Sequence, residues 1–89
     1  MAVLLVTYDL NSPGQNHSNL LKTIKEYPWA KLSESSYAIK TLETPSTIFN
    51  LLKQYIDKND NLYVVTMKKP YSGYGPQEVN DWLESNLPI

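Results

Sequence analysis

The 89-residue chain contains no cysteine and no arginine, and it has only three glycines and one phenylalanine. Without cysteine, disulfides, zinc–thiolate sites and thiol nucleophiles are excluded. All eight basic residues are lysines, and nine acidic residues bring the formal net charge to −1. Binding of long duplex DNA through a basic patch needs a clear surplus of positive charge. We therefore expect no partner of that kind.

Long apolar runs are also absent, since none reaches the roughly 18 residues that a membrane-spanning helix needs. The apolar start of the chain lacks the cationic residues and the cleavage site that a signal peptide requires. These patterns predict a cytoplasmic protein with no membrane partner. The length predicts a single domain over residues 1–89. A domain this small buries only about 60–65% of its unfolded surface, which favours self-association, and we expect a homodimer.

Two continuous apolar segments, residues 2–8 and 62–67, predict buried strands. Residues 30–33 and 36–41 predict two shorter strands, and the two-residue gap between them favours an antiparallel hairpin. Three amphipathic stretches predict helices. They lie before Pro28, from Thr44-Pro45 to about Ile56, and after Pro76.

The resulting order is β-α-β-β-α-β followed by a helix. This order predicts an α+β protein, a ferredoxin-like sandwich with an additional C-terminal helix. Residues 62–67 then form an edge strand that is apolar on both faces. Such an edge promotes aggregation unless it is covered, and either the final helix or a second subunit would cover it.

Residues 68–76 form the most unusual segment, because two lysines and two tyrosines stand among glycines and prolines immediately before a helix. Helix N-termini favour anions, and tyrosine rings stack on bases. We predict a nucleotide-type ligand here, with its phosphate at backbone amides. The assigned site consists of Asn11, Lys68, Lys69, Tyr71, Gly73, Tyr74 and Gly75. The alternative is that the tyrosines pack onto the domain or across a dimer interface.

Asp9 follows the first strand, where a carboxylate can bind a divalent cation or simply accept backbone N–H groups in a turn. No cofactor is expected unless Asp9 binds Mg²⁺ for catalysis. His17 is the only histidine, and no partner for a general base is visible in the sequence.

Residues 5–10 (Leu-Val-Thr-Tyr-Asp-Leu) and 36–39 (Ser-Tyr-Ala-Ile) resemble the Cas two family, the small ferredoxin-like CRISPR-associated proteins of spacer acquisition. The whole chain is also similar to short bacterial and phage proteins described as SinR-like, through Tyr-Asp-Leu at 8–10, Asn-Asp-Asn-Leu at 59–62 and Asp-Trp-Leu at 81–83. The resemblance implies a homodimer associated with nucleotides or nucleic acid. It also implies, for some members, a metal-dependent ribonuclease in which Asp9 would bind Mg²⁺, and for others a scaffold without catalysis.

Three hypotheses follow for the function. The first is a non-catalytic homodimer that binds a nucleotide-type ligand or short single-stranded RNA, and that in a phage would sequester a nucleotide defence signal. The second is a Mg²⁺-dependent endoribonuclease with Asp9 as its catalytic and metal-binding residue. The third is a protein-interaction module such as an antitoxin. The sequence favours a protein that is not an enzyme.

Overall fold

The four strands and three helices form where the apolar patterns place them. A computed structural model describes residues 1–11 and 14–89. Ser12 and Pro13 lie outside the described residues, so the loop predicted there is not described in full. The strands are β1 (Ala2–Asp9), β2 (Trp29–Ser33), β3 (Ser36–Thr41) and β4 (Asn61–Met67). The helices are α1 (Gln15–Ile24), α2 (Pro45–Leu52) and α3 (Gln77–Asn86).

The strands build one antiparallel sheet in the order β2-β3-β1-β4. The central strand β1 pairs with β3 on one side and with β4 on the other. The prediction of an α+β protein is confirmed, and the strand order is compatible with a ferredoxin-like sandwich. The hairpin between β2 and β3 and the edge position of β4 are also as predicted.

Helices α1 and α2 cover one face of the sheet and enclose the main core. Alternate residues of β1 point into it, as the two-residue period of a strand requires. The buried members are Leu4, Val6, Tyr8, Leu20, Ile24, Tyr37, Ile39, Ile48, Leu52 and Leu62. The Thr44 side chain caps α2, accepting a hydrogen bond of 3.1 Å from the backbone N–H of Thr47.

The second helix ends earlier than the apolar spacing predicts. Its α-helical part stops at Leu52, and Lys53–Tyr55 tighten into a 3₁₀ turn. Tyr55 and Ile56 still pack against the main core. The spacing therefore identifies the buried side chains correctly but does not distinguish an α-helical turn from a tighter one.

Helix α3 packs on the opposite face of the sheet, over Val3 and Ala38, through Leu83 and through Leu87, the residue that directly follows the helix. It covers that face only in part, because Tyr63 is 65% and Val65 is 50% exposed. Within the described residues, β4 pairs only with β1 and its outer edge has no neighbouring strand. In the same part of the chain, no helix has the length and apolar composition needed to cross a membrane.

Candidate functional site

The segment between β4 and α3, residues 68–76, is held by contacts with the C-terminal part of the chain. The backbone N–H of Lys69 donates to the Pro88 carbonyl oxygen at 2.7 Å. Glu84 on α3 binds two residues of the segment, Lys69 through Nζ at 3.3 Å and Tyr71 through its hydroxyl at 3.2 Å. Burial and this hydrogen bond raise the pKa of the Tyr71 phenol. One carboxylate on α3 therefore fixes the first half of the segment.

The second half of the segment forms a wall of a cleft with a volume of about 230 Å³. We call this the tyrosine cleft. Tyr71, Gly73, Tyr74 and Gly75, all assigned to the site from the sequence, line it together with Ser72. Pro76 ends the segment, and the other walls are apolar or uncharged side chains of the sheet and of α3: Leu32, Met67, Val79, Asn80 and Leu83. Pockets for whole small molecules measure about 300–1,000 Å³, so the tyrosine cleft suits a single planar ring.

A second cleft, of about 390 Å³, lies against the same first turn of α3. We call it the tryptophan cleft, because Trp29 and Trp82 line it along with Ala30, Lys31 and Glu78. Pro76 and Val79 belong to both clefts. None of the residues that line it was assigned to a site from the sequence, so this cleft was missed. The sequence carries little signal for it: Trp29 directly precedes the predicted strand 30–33, and that this ring is 40% exposed is known only from the structure.

The charges around the two clefts are unevenly available to a ligand. Lys69 pairs with Glu84, whereas Lys68 is exposed and, in the part of the chain that the structure describes, forms no ion pair. Glu78 stands in the first turn of α3, where its carboxylate complements the helix dipole. The backbone N–H groups of Val79 and Asn80 both donate to the Pro76 carbonyl oxygen at 3.1 Å. These contacts favour an anion near Lys68 over one at the helix amides.

Asn11, also assigned to the site, lies at the other end of the sheet. Its backbone N–H donates to Asp60 Oδ1 at 2.9 Å, and its side-chain amide donates to the Asn59 carbonyl oxygen. Asn11 is thus fixed beside the first residue of β4, whereas the 68–76 segment follows the last. A strand of this length spans roughly 20 Å. Within one subunit, the structure does not bring Asn11 together with the lysines and tyrosines.

Asp9 is exposed at the end of β1, opposite Asn61 of β4. In residues 1–11 and 14–89, no group of three or more His, Cys, Asp or Glu side chains is arranged to bind a metal ion. His17 lies half-buried with its ring centroid 5.9 Å from that of Tyr8. Neither Asp9 nor His17 is among the residues that line the two clefts.

Comparison with known proteins gives no match for this chain among family models, curated proteins or solved structures. The resemblance to the Cas two family, which depends on short motifs, therefore stays a prediction.

Proposed function

We propose that this chain is a ferredoxin-like βαββαβ sandwich with an additional C-terminal helix, and that it acts as a homodimeric, non-catalytic binding protein for a nucleotide-type ligand or short single-stranded RNA. The strand order β2-β3-β1-β4 supports the fold. The observation that supports the function is the tyrosine cleft, a ring-sized cavity whose Tyr74 side chain is fully exposed.

Stacking is the interaction that this cleft offers best. An aromatic side chain contributes about 1–3 kcal/mol for each base that stacks on it. Tyr74 presents its ring to solvent, and Lys68 stands at the start of the same segment with a free charge for a phosphate. The adjoining tryptophan cleft adds two further rings on the other side of the shared Pro76 and Val79 wall. Two adjacent aromatic clefts favour a ligand with more than one base.

The lining of the tyrosine cleft also supports binding without turnover. It consists of apolar side chains, tyrosine rings, the Ser72 hydroxyl and the Asn80 amide. The Asn80 amide already donates to the Gly75 carbonyl oxygen at 3.2 Å, which fixes the start of α3. These groups stack on a ligand and hydrogen bond to it. Among the residue types that commonly perform proton transfer in general acid–base catalysis, His, Asp, Glu, Lys and Tyr, this lining contains tyrosine, and the Tyr71 hydroxyl already donates to Glu84.

Isothermal titration calorimetry against cyclic and linear oligonucleotides, at micromolar protein and low salt, tests the proposal. We expect Tyr74→Ala to weaken binding about 5- to 150-fold, the equivalent of one lost stacking contact. Tyr74→Phe keeps the ring and should bind like the wild type. Lys68→Ala should weaken binding of phosphorylated ligands, while the matched control Lys22→Ala, an exposed lysine of α1, should not.

Two results would contradict the proposal. Absence of heat with every oligonucleotide would eliminate the ligand class. Recovery of cleaved RNA in the presence of Mg²⁺, with cleavage lost in Asp9→Asn, would replace a binding protein with the nuclease.

A further inference from the structure

The outer edge of β4 presents a defined set of backbone groups. The backbone N–H of Tyr8 donates to the Ser35 carbonyl oxygen at 3.0 Å, so even-numbered residues of β1 direct their backbone groups towards β3. Odd-numbered residues of β1 therefore bond to β4, and they stand opposite its odd-numbered residues, as in the pair Leu5 and Val65. It follows that Leu62, Val64 and Thr66 direct their N–H and C=O groups outwards.

These outward groups match those of a second copy in one register. If two β4 strands run antiparallel with Val64 opposite Val64 of the partner subunit, Leu62 stands opposite Thr66 of the partner subunit. Each of the three outward-facing residues then exchanges an N–H···O=C hydrogen bond in both directions with the partner residue opposite it, giving about six hydrogen bonds. If the two-fold axis lay at Tyr63 or at Val65 instead, one of these three outward-facing residues would stand opposite a residue outside β4.

The side chains fit the same register. Tyr63, 65% exposed, stands opposite Val65 of the partner subunit, and aromatic and β-branched residues form favourable cross-strand pairs. No residue of β4 is charged, whereas the other edge strand, β2, carries Lys31 and a register shift that oppose such pairing. Just beyond the strand, Asp60 stands opposite Lys68 of the partner subunit, which brings unlike charges together. Both Asp60 carboxylate oxygens already accept a backbone N–H, from Asn11 and from Asp57, and a lysine ammonium has three donors, so Lys68 keeps donors for a phosphate.

We infer that two copies pair through β4 about a two-fold axis at Val64, and that each ligand site is shared between them. The shared site rests on the proposed function. Asn11 is hydrogen bonded to Asp60 and to Asn59. Because Asp60 stands opposite Lys68 of the partner subunit in this pairing, Asn11 and Asn59 also lie close to that lysine. Asn11 of one subunit thus completes the site formed by the 68–76 segment of the other.

Single cysteines test the pairing without any ligand, because the chain has none of its own. Directly opposite residues in a hydrogen-bonded antiparallel pair have Cα atoms about 5.5 Å apart, within the range of about 4.4–6.8 Å for disulfides. We expect Val64→Cys to form a covalent dimer on mild oxidation. In the control Thr66→Cys, the two cysteines would be offset along the strands by roughly 13 Å, and we expect no cross-link. Equal cross-linking of the two variants, or preferential cross-linking of Val65→Cys, would overturn the register.

A proline provides an independent test that leaves the sheet of one subunit intact. The N–H of Thr66 points outwards, so Thr66→Pro removes no bond to β1, and proline is tolerated on such edges. We expect the wild type to elute as a dimer at 100 µM and Thr66→Pro as a monomer with an unchanged circular dichroism spectrum. A monomeric wild type would refute the pairing.

Complementation tests the shared site, with the RNA dinucleotide pApA as the probe. Asn11→Ala and Lys68→Ala should each weaken binding at both sites of the dimer. In a mixed dimer of the two variants, one shared site is fully wild type, so binding should return for half of the heterodimers' sites. No recovery in mixed dimers would show that the site lies within one subunit. If the wild type does not bind pApA, the proposed function fails for this probe and the shared site fails with it, while the cross-linking result still decides the pairing.

Discussion

The attachment of α3 to the sheet is weaker than the packing of the main core, and Leu83→Ala should therefore release α3 before the rest of the protein unfolds. Leu83 of α3 and Leu87, which directly follows the helix, are buried against Val3 and Ala38. A buried leucine contributes about 1.5–3 kcal/mol, so the pair contributes about 3–6 kcal/mol. A ten-residue helix such as α3 is not stable in water by itself.

The free-energy cost of Leu83→Ala, compared with the stability that α3 gains from docking, decides whether the helix is released. Truncating a buried leucine to alanine costs about 2–5 kcal/mol, which is comparable to the whole contribution of the two leucines. We therefore expect the backbone amides of α3 to exchange with solvent far faster in Leu83→Ala than in the wild type. Amides in the central strand β1 should keep most of their protection. Leu83 and Val79 also line the tyrosine cleft, so oligonucleotide binding should be lost together with the docked helix.

Hydrogen exchange followed by mass spectrometry or NMR measures this difference directly. The matched control is Leu52→Ala, which truncates a leucine of the main core that is 1% exposed. This control should lower the protection of β1 and α3 amides together, because the main core stabilises the whole sheet. If α3 and β1 lose protection equally in Leu83→Ala, then α3 unfolds only with the rest of the protein and the reasoning is refuted.

Three further outcomes follow from individual contacts. Burial, followed by the charges of Tyr37 and Glu34, raises the pKa of Tyr8 from 10.0 to about 12. The contribution of the neutral Tyr8 phenol to the free energy of unfolding is therefore fully present below pH 10 and is lost as the pH rises towards 12. In urea titrations over this pH range, the free energy of unfolding of Tyr8→Phe should decline less steeply than that of the wild type. Glu84→Gln breaks its ion pair with a lysine of the site. It should increase calorimetric affinity for phosphorylated ligands several-fold, with little change in the thermal midpoint because exposed pairs stabilise weakly. Thr44→Ala removes the α2 cap and should lower the free energy of unfolding by about 0.5–2 kcal/mol in denaturant titrations; an equal loss in a Thr47→Ala control would argue against capping.

The strands could be predicted from the sequence almost residue by residue, because alternation and β-branched runs report directly on sheet faces. The predicted starts of β2 and β4 differ from the observed ones by one residue each, since Trp29 and Asn61 already pair with β3 and β1. The end of α2 was harder to predict. Tyr55 keeps the apolar spacing of the helix although its backbone lies in a 3₁₀ turn, and spacing alone describes side chains rather than hydrogen bonds.

The candidate site was predictable only where its residues are close in sequence. Tyr71 and Tyr74 share a loop and a cleft because few residues separate them. The tryptophan cleft depends on α3 crossing the sheet near β2, which brings Trp82 close to Trp29 from 53 positions away. An amphipathic stripe shows that α3 buries one side, but it does not show which face of the sheet receives it.

Because the chain has no arginine, only its eight lysines can supply positive charge to a ligand, and several of them already have partners. Lys31 pairs with Glu34, Lys69 pairs with Glu84, and the ammonium group of Lys25 lies 4.8 Å from the centre of the Trp29 ring. These contacts occupy lysines near both clefts, while Lys68 stays exposed. Salt-dependent affinity for nucleic acid grows with the number of phosphates neutralised. Under the proposed function, a site with so little free charge would obtain its affinity from stacking on tyrosine and tryptophan rings. For that reason a ligand with few phosphates and accessible bases suits the chain better than a duplex does.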